Sequence, residues 1–264
     1  MPHARATALR ALRARLSAYE PPALRAGRAL SLGDGRVDGC FPSGGLPLGC
    51  WHELVGEGVE ADLGVAIAGF AGRLAARLAE AGQVVWVLRR DDLYAPGLAE
   101  LGLGPHRLIM VRAASEAETL AALEDALRTR GVAAAVAETE AVDLTAGRRL
   151  QLACERSGTT ALVLRRRLYG KPYRASEKAE PAVAASRWRI GPAPSEPEAG
   201  MPGLGAPRWI AELERARGGR SGKWIVEANW EAQNGAVPFR VVAELADHAL
   251  SAQLPERDFR RAAG

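Results

Sequence analysis

Apolar residues recur every three or four positions in several stretches of this chain, and short uninterrupted apolar runs lie between them. The helical spacing predicts helices over residues 62–81, 98–101, 116–130 and 145–157, with Gly82, Gly131 and Gly158 at the ends of three of them. The apolar runs predict strands over 51–55, 84–88, 108–111, 132–137 and 161–164. Apolar strands that alternate with helices are typical of an α/β fold with a mostly parallel sheet flanked by helices.

The two ends of the chain follow other patterns. Residues 5–19 predict an amphipathic helix, in which Leu9, Leu12 and Leu16 share one face among arginines. After residue 165 the composition changes, with only a short strand expected at 188–190. A C-terminal antiparallel hairpin is then expected over 209–217 and 223–227, with a third strand over 239–244. We therefore divide the chain into a basic N-terminal helix and linker (1–29), a core (30–245) and a charged tail (246–264).

Composition narrows the class of protein. The chain has 264 residues, 48% of them hydrophobic, which suits one full domain with appendages. The sequence shows neither a signal peptide nor a membrane-spanning run, so we expect a cytoplasmic protein without membrane contact. The three cysteines and four histidines lack metal-ligand spacing and an adjacent nucleophile, which predicts reduced thiols, no metal site and no catalytic residue.

A phosphate-binding loop with altered residues follows the first predicted strand. The working pattern is G-x-x-x-x-G-K-[ST], in which the Lys and the hydroxyl hold phosphate and Mg²⁺. Counted from Gly56, its last three places hold Ala61, Asp62 and Leu63, and Gly58 lies between. An Asp in place of the Lys repels phosphate instead of attracting it. The sequence therefore predicts a degenerate nucleotide site.

The segment before this loop carries a resemblance to a known family. Val37-Asp38 and the run Phe41-Pro-Ser-Gly-Gly-Leu-Pro-Leu-Gly49 resemble the entry to the ATPase core of RecA-type recombinases. The resemblance covers about residues 30–190. The altered loop, the basic N-terminal helix and the run from Arg217 to Trp224 (RGGRSGKW) are most similar to the ImuA family, which is related to the SulA division inhibitors.

The resemblance implies a position for each part of the RecA site. The water-activating carboxylate falls at Arg89 or Arg90, with Asp91 reached by a shift of one residue. The Walker B aspartate falls at Glu138, and the polar sensor falls among Arg165 and Arg166. Because these positions depart from the RecA pattern together, we expect no ATP hydrolysis and no cofactor.

The resemblance also implies partners. ImuA proteins accompany the polymerase-like ImuB and the polymerase DnaE2 in damage-induced mutagenesis (translesion synthesis). The resemblance therefore implies RecA and ImuB as binding partners. The leucine stripe of the N-terminal helix could dock on a RecA protomer or fold back on its own core. A basic loop could bind single-stranded DNA weakly or meet an acidic partner. Its residues are Arg165, Arg166, Arg167, Tyr169, Lys171, Tyr173 and Arg174.

The sequence thus predicts a non-catalytic accessory protein of SOS mutagenesis that binds RecA and ImuB. Two other classes stay open at this stage. An active RecA-like ATPase or recombinase would show ATP turnover that is lost when Glu138 is changed. A SulA-like cell-division inhibitor would block polymerisation of the division protein FtsZ.

Overall fold

The computed structural model describes residues 28–56, 60–166, 183–197, 200, 202–229 and 237–245. For residues 60–63 only the backbone is described. The helices are α1 (Gly35–Asp38), α2 (Glu60–Leu78), α3 (Ala95–Glu100), α4 (Glu116–Arg128) and α5 (Leu144–Ser157). The strands are β1 (Ala29–Leu30), β2 (Leu46–Pro47), β3 (Trp51–Gly56), β4 (Gln83–Leu88), β5 (Leu108–Arg112), β6 (Val132–Thr139), β7 (Thr160–Arg165), β8 (Ser186–Ala193), β9 (Arg208–Ala216), β10 (Gly222–Ala228) and β11 (Phe239–Glu244).

Within the described residues, nine strands form one sheet in the order β11-β10-β9-β8-β3-β7-β6-β4-β5. The six strands from β8 to β5 run parallel. Strand β9 pairs antiparallel with β8, β10 with β9, and β11 with β10. This confirms the predicted α/β fold with a mostly parallel sheet, flanking helices and a C-terminal antiparallel hairpin. The predicted N-terminal helix lies outside the described residues.

Helices cover the parallel strands on both faces. On one face, α2 packs its buried residues, including Phe70 and Leu74, against Trp86, Val136 and Trp188 of the sheet. On the other face, α4 and α5 cover the remaining apolar side chains of the same strands. Side chains of successive strand residues point to opposite faces, so a strand buried on both faces reads as an uninterrupted apolar run. That is why the central strands were predictable.

The observed helix ends agree only partly with the capping patterns in the sequence. The Ser115 hydroxyl accepts a hydrogen bond from the Glu118 amide, as a capping box requires. The Glu118 carboxylate, however, accepts from the Ala114 amide at 2.7 Å, not from the Ser115 amide. Asp143 caps α5 by accepting from the Ala146 amide, and Gly158 ends it in the left-handed conformation.

The glycine-rich stretch over residues 33–49 precedes β3. It contains α1 and β2, and β2 pairs antiparallel with β1. Asp34 caps α1, and the Asp38 carboxylate accepts hydrogen bonds from the Leu32 amide and the Ser31 hydroxyl. The expected short strand at 188–190 is longer, because β8 is held on both sides by β3 and β9.

The RGGRSGKW run forms the turn between β9 and β10. The Arg220 amide donates to the Cys40 carbonyl at 3.0 Å. A side chain at Gly219 would place its Cβ 2.0 Å from that same carbonyl oxygen, so only glycine fits. The Arg217 amide donates to the Ala185 carbonyl. This sequence therefore holds the C-terminal strands onto the start of the core.

Candidate functional site

The residues predicted to form the degenerate nucleotide site lie at the carboxyl ends of the parallel strands, where α/β proteins bind their ligands. Gly56 is the last residue of β3 and is buried. The predicted positions Ala61, Asp62 and Leu63 fall in the first turn of α2, while Gly58 lies outside the described residues. The connection from β3 to α2 thus has the place in the fold that a phosphate-binding loop occupies.

The centre of the site is a cluster of Arg166, Glu138 and Asp92. The Arg166 guanidinium donates to the Glu138 carboxylate at 3.1 Å and to both oxygens of Asp92 at 2.8 and 3.2 Å. The other oxygen of Glu138 accepts from the indole N–H of Trp86 at 3.3 Å. Both oxygens of the Glu138 carboxylate, at the predicted Walker B position, therefore accept hydrogen bonds from side chains of this chain.

The pKa values of the two carboxylates in this cluster are shifted in opposite directions. Burial raises the pKa of Glu138 above its ordinary value, although the Arg166 charge and the Trp86 hydrogen bond act against this. Burial also acts to raise the pKa of Asp92, but the hydrogen bond and charge of Arg166 outweigh it, and the pKa is lowered. Arg166 thus compensates two acids at once, and a metal ion would have to displace its guanidinium.

The position of the water-activating carboxylate, expected at Arg89, Arg90 or Asp91, stays a prediction. Asp91 lies at the surface and pairs with Arg112, and Asp92, one residue further, reaches the site instead. Arg89 points to another group of residues, where it pairs with Glu116 and Glu140. Arg90 lies on the site side, 4.0 Å from the Asp92 carboxylate. The two adjacent aspartates were the signal, but sequence alone does not say which faces inward.

The assignment of Arg165 and Arg166 to the basic loop was wrong. Arg165 belongs to β7, and its guanidinium donates to the buried Glu53 carboxylate at 2.7 Å. Glu53 also lies 3.4 Å from Arg187 of β8. A buried carboxylate requires such partners, so these arginines hold the sheet together and are not phosphate contacts of a loop. Arg167, Tyr169, Lys171, Tyr173 and Arg174 lie outside the described residues.

His52 lies buried in the sheet. Its Nε2 donates to the Pro47 carbonyl at 2.9 Å, and its Nδ1 accepts from the Ser186 hydroxyl at 2.7 Å. The Trp188 indole donates to the same hydroxyl. Burial lowers the pKa of His52 to about 4, so the ring is neutral and its hydrogen bonds are satisfied. This is a structural histidine.

The three cysteines are free and buried. Burial raises the pKa of the Cys50 thiol to about 12 and that of Cys154 further still, and such thiols are poor nucleophiles. Among the described residues no three potential metal ligands come together. None of the helices in the described part of the chain is long and apolar enough to cross a membrane.

An open cleft of about 270 Å³ adjoins the arginine cluster. Gly64, Val65 and Ala68 of α2 form one wall, and the segment from Leu93 to Leu101, which includes α3, forms the other. Arg90, Asp92 and Arg166 form its charged end. The site therefore combines a polar end that is filled by an arginine with an apolar end that is open.

The leucine stripe of the N-terminal segment (Leu9, Leu12 and Leu16) and the charged tail lie outside the described residues. Their predicted roles stay predictions. Apart from Trp230, which lies outside the described residues, the tryptophans are buried core residues. They are Trp51, Trp86, Trp188, Trp209 and Trp224.

Comparisons with known proteins place the chain among characterised sequences. It is 56% identical over 237 residues to Protein ImuA of Caulobacter vibrioides strain NA1000, which covers 87% of this chain and 95% of that protein. Protein ImuA of strain ATCC 19089 matches to the same extent. No protein-family model matches. The crystal structure of SulA from Pseudomonas aeruginosa aligns with a TM-score of 0.38 at 22% identity, over 44% of this chain and 96% of that chain.

Proposed function

The chain belongs to the ImuA family, and we propose that it is a non-catalytic accessory protein of damage-induced mutagenesis that acts by binding RecA and ImuB, and through ImuB the polymerase DnaE2. The observation that carries the non-catalytic part is the contact of Arg166 with both Glu138 and Asp92. In this reading a guanidinium stands where an ATPase holds Mg²⁺ and activates water. The site then serves as a rigid part of a binding protein.

The chemistry of the site supports this assignment step by step. Phosphoryl transfer needs a cation that holds the β- and γ-phosphates, a hydroxyl and a carboxylate for Mg²⁺, and a group that orients the nucleophile. The first two positions hold Asp62 and Leu63. The carboxylate of Glu138 is engaged by Trp86 and Arg166. Asp92 is the one further acid of the cluster, and Arg166 engages it as well.

The test of the non-catalytic part is a nucleotide-binding titration of the purified full chain with Mg²⁺-ATP, followed by calorimetry and by phosphate release. We expect neither binding at micromolar concentration nor turnover. Asp62→Lys should not restore either, because the hydroxyl at position 63 and an unoccupied carboxylate are also missing. Micromolar binding or turnover that is lost in Glu138→Gln would overturn the assignment and favour an active ATPase.

For partner binding, we propose that the three regions of the chain have different roles. Residues 30–245 form the scaffold, the leucine stripe of residues 1–29 contacts RecA, and the tail 246–264 is an appendage. Burial of three leucines offers roughly 1.5–3 kcal/mol each, which suits a transient contact after ordering is subtracted.

A pull-down with purified RecA and ImuB, with and without DNA, tests these contacts. Leu12→Asp with Leu16→Asp should abolish RecA binding and leave the core folded. Ala14→Asp with Ala18→Asp is the matched control, because these positions lie on the opposite face of the predicted helix. If the leucine variant binds RecA with unchanged affinity, the contact lies elsewhere. If neither RecA nor ImuB is retained, the partner assignment fails.

A further inference from the structure

Strand β5 forms one edge of the sheet and carries exposed apolar side chains on both of its faces. Within the described residues, β4 is the one strand that pairs with β5, and no strand pairs with its outer edge. Ile109 and Met110 are consecutive and therefore point to opposite faces, and they are 47% and 53% exposed. The strand contains neither proline nor lysine, and its pairing with β4 has no bulge. An apolar edge without such protection is a site at which another strand can pair.

The backbone of Met110 faces the open edge. The Ala113 amide, directly after β5, donates to the Leu88 carbonyl of β4 at 2.9 Å. In a parallel pair, alternate residues of one strand form the hydrogen bonds to the same neighbour, so the odd-numbered residues of β5 bind β4. The even-numbered residues hold their N–H and C=O groups towards the outer edge. These residues are Leu108, Met110 and Arg112.

A second copy of β5 fits this edge when a two-fold axis passes through Met110. An axis that continues the sheet is perpendicular to it and makes the two strands antiparallel. Met110 is the middle residue of the strand, so the ladder then includes every residue of β5, and Met110 meets Met110 of the second copy in a hydrogen-bonded pair. Ile109 lies opposite Val111, and Leu108 lies opposite the aliphatic stem of Arg112. Apolar groups therefore face each other on both faces of the ladder.

The charges at the two ends of β5 favour the same arrangement. The turn before the strand contributes His106 and Arg107 and no acid. Acids outnumber bases around the other end of the strand. The acids are Asp91, Glu116, Glu118 and Glu140, and the bases are Arg89 and Arg112. Antiparallel pairing brings the basic end of each strand beside the acidic end of the other, whereas parallel pairing would bring like ends together. The edge is thus complementary to itself.

We propose that β5 is a self-association edge, through which two copies of this chain form one continuous sheet about a two-fold axis at Met110. Strands of five residues cover less surface than the roughly 1,200–2,000 Å² of standard interfaces. The dimer is therefore transient, with a dissociation constant on the order of 10–100 μM. The contact uses neither the leucine stripe nor the arginine cluster, so it is independent of the proposed function.

Sedimentation equilibrium of the full-length chain, over about 5–200 μM, tests the dimer. We expect a monomer–dimer equilibrium in the wild-type chain. Met110→Lys should raise the dissociation constant at least about tenfold, because two lysines then face each other across the axis. Val242→Lys is the matched control and should dimerise like the wild type, because Val242 is an exposed apolar residue of the opposite edge strand, β11. A wild-type chain that stays monomeric throughout, or unchanged dimerisation of Met110→Lys, would overturn the proposal.

A charge swap at the same position separates strand pairing from a folding defect. Met110→Lys and Met110→Glu should each be monomeric alone, because like charges lie directly opposite each other. An equal mixture of the two variants should form a heterodimer, because opposite charges then face each other across the axis. Circular dichroism checks that both variants keep the wild-type fold. A mixture of the folded variants that stays monomeric would refute the pairing of Met110 with itself.

Oxidative cross-linking with copper–phenanthroline locates the axis. The Cα atoms of a hydrogen-bonded antiparallel pair are about 5.5 Å apart, within the range of a disulfide, so Met110→Cys should give a covalent dimer. Ile109→Cys is the matched control at a similarly exposed position, because its two copies would lie about 8 Å apart across the same axis, beyond that range. The native cysteines are buried and do not compete. Equal cross-linking of both variants, or of neither, would overturn the proposal. RecA and nucleotide are absent from these experiments, so their failure leaves the proposed function to its own test.

Discussion

Arg166 and Glu138 form a hydrogen-bonded ion pair in the interior, with the guanidinium 3.1 Å from the carboxylate and the two side chains only 8% and 3% exposed. Two charges at that depth stay ionised only while each compensates the other. The same guanidinium reaches Asp92, so one side chain joins the ends of β6 and β7 to the segment after β4. Removal of Arg166 therefore tests the stability of the whole site.

We expect Arg166→Ala to lower the free energy of unfolding by about 3–5 kcal/mol, because it leaves the buried Glu138 carboxylate without its cation. Urea denaturation followed by tryptophan fluorescence measures the change. Arg112→Ala is the matched control. Arg112 pairs with Asp91 at the surface, where the two side chains are 59% and 86% exposed, so its removal should change stability by less than about 1 kcal/mol.

A double variant separates loss of the pair from loss of packing. Arg166→Met with Glu138→Leu replaces both charges by apolar groups, and its stability should recover most of what Arg166→Ala loses, because no charge is left buried at that position. Equal destabilisation in Arg166→Ala and Arg112→Ala would contradict the compensating role of Arg166.

His52 should make stability depend on pH. Its pKa in the folded protein is about 4, against 6.5 for the unperturbed side chain. Between these values the unfolded chain binds a proton that the folded chain does not, so the free energy of unfolding falls as the pH falls from 6.5 towards 4. From pH 7 to pH 5 the loss should be about 2 kcal/mol.

The histidine contribution is measured as a difference between variants. Urea unfolding of His52→Gln should lack this part of the pH dependence, although the variant is less stable at pH 7 because hydrogen bonds to Ser186 and Pro47 change. His106→Gln, at an exposed position, should keep the wild-type pH dependence. The same pH dependence in all three proteins would show that His52 is not the group that titrates.

Arg73 should be important for the attachment of the C-terminal strands. It is buried on α2, and its guanidinium donates to the carbonyls of Leu101, Pro238 and Asn229. Arg73→Met leaves these carbonyls without the charged donor and should lower the free energy of unfolding by about 3 kcal/mol, since each hydrogen bond to a charged group contributes roughly 1.5–3 kcal/mol and the effects are not additive. Arg77→Met, one turn further along, should have a much smaller effect because its partner Glu80 is exposed.

Any binding of single-stranded DNA should depend on the basic loop and on salt. Because Arg165 and Arg166 pair within the core, the remaining candidates are Arg167, Lys171 and Arg174. Lys171→Ala with Arg174→Ala should weaken binding for all sequences alike and reduce the slope of log affinity against log salt by about 0.7 per lost phosphate contact. Fluorescence anisotropy with labelled oligonucleotides measures this. Arg112→Ala with Arg130→Ala, at exposed positions at the end of β5 and after α4, should leave the slope unchanged. An unchanged slope in the loop variant would exclude the contact.

The elements that the sequence predicted are those whose signal is local. The capped helix α4, the glycine-ended α5 and the apolar strands β4, β6 and β7 were placed within a few residues of their bounds. The strands are buried on both faces and the helices on one, so a single apolar run or a single period describes each of them. Strand β11 was placed at its observed bounds because its residues alternate in burial.

The features that were missed depend on distant residues. Asp92 enters the site only because Arg166, 74 positions later, reaches it, and nothing near Asp92 distinguishes it from Asp91. The pairing of β1 with β2 closes around glycines whose spacing resembles a loop. In the sequence, Arg165 is the first residue of a basic run. In the structure it belongs to the sheet, where its guanidinium donates to Glu53, 112 positions earlier.

The position of β3 in the sheet has a consequence for folding of the protein during translation. Strand β3 is the first of the longer strands to be synthesised, and its neighbours β7 and β8 follow much later in the chain. His52 of β3 can bind the Ser186 hydroxyl only after 134 further residues have been added. At a synthesis rate of about 5–20 residues per second, that interval is on the order of ten seconds. Until β7 and then β8 have been made, the edges of this apolar strand stay open to other nascent chains. The protein should therefore depend on chaperones during translation more than its modest size suggests.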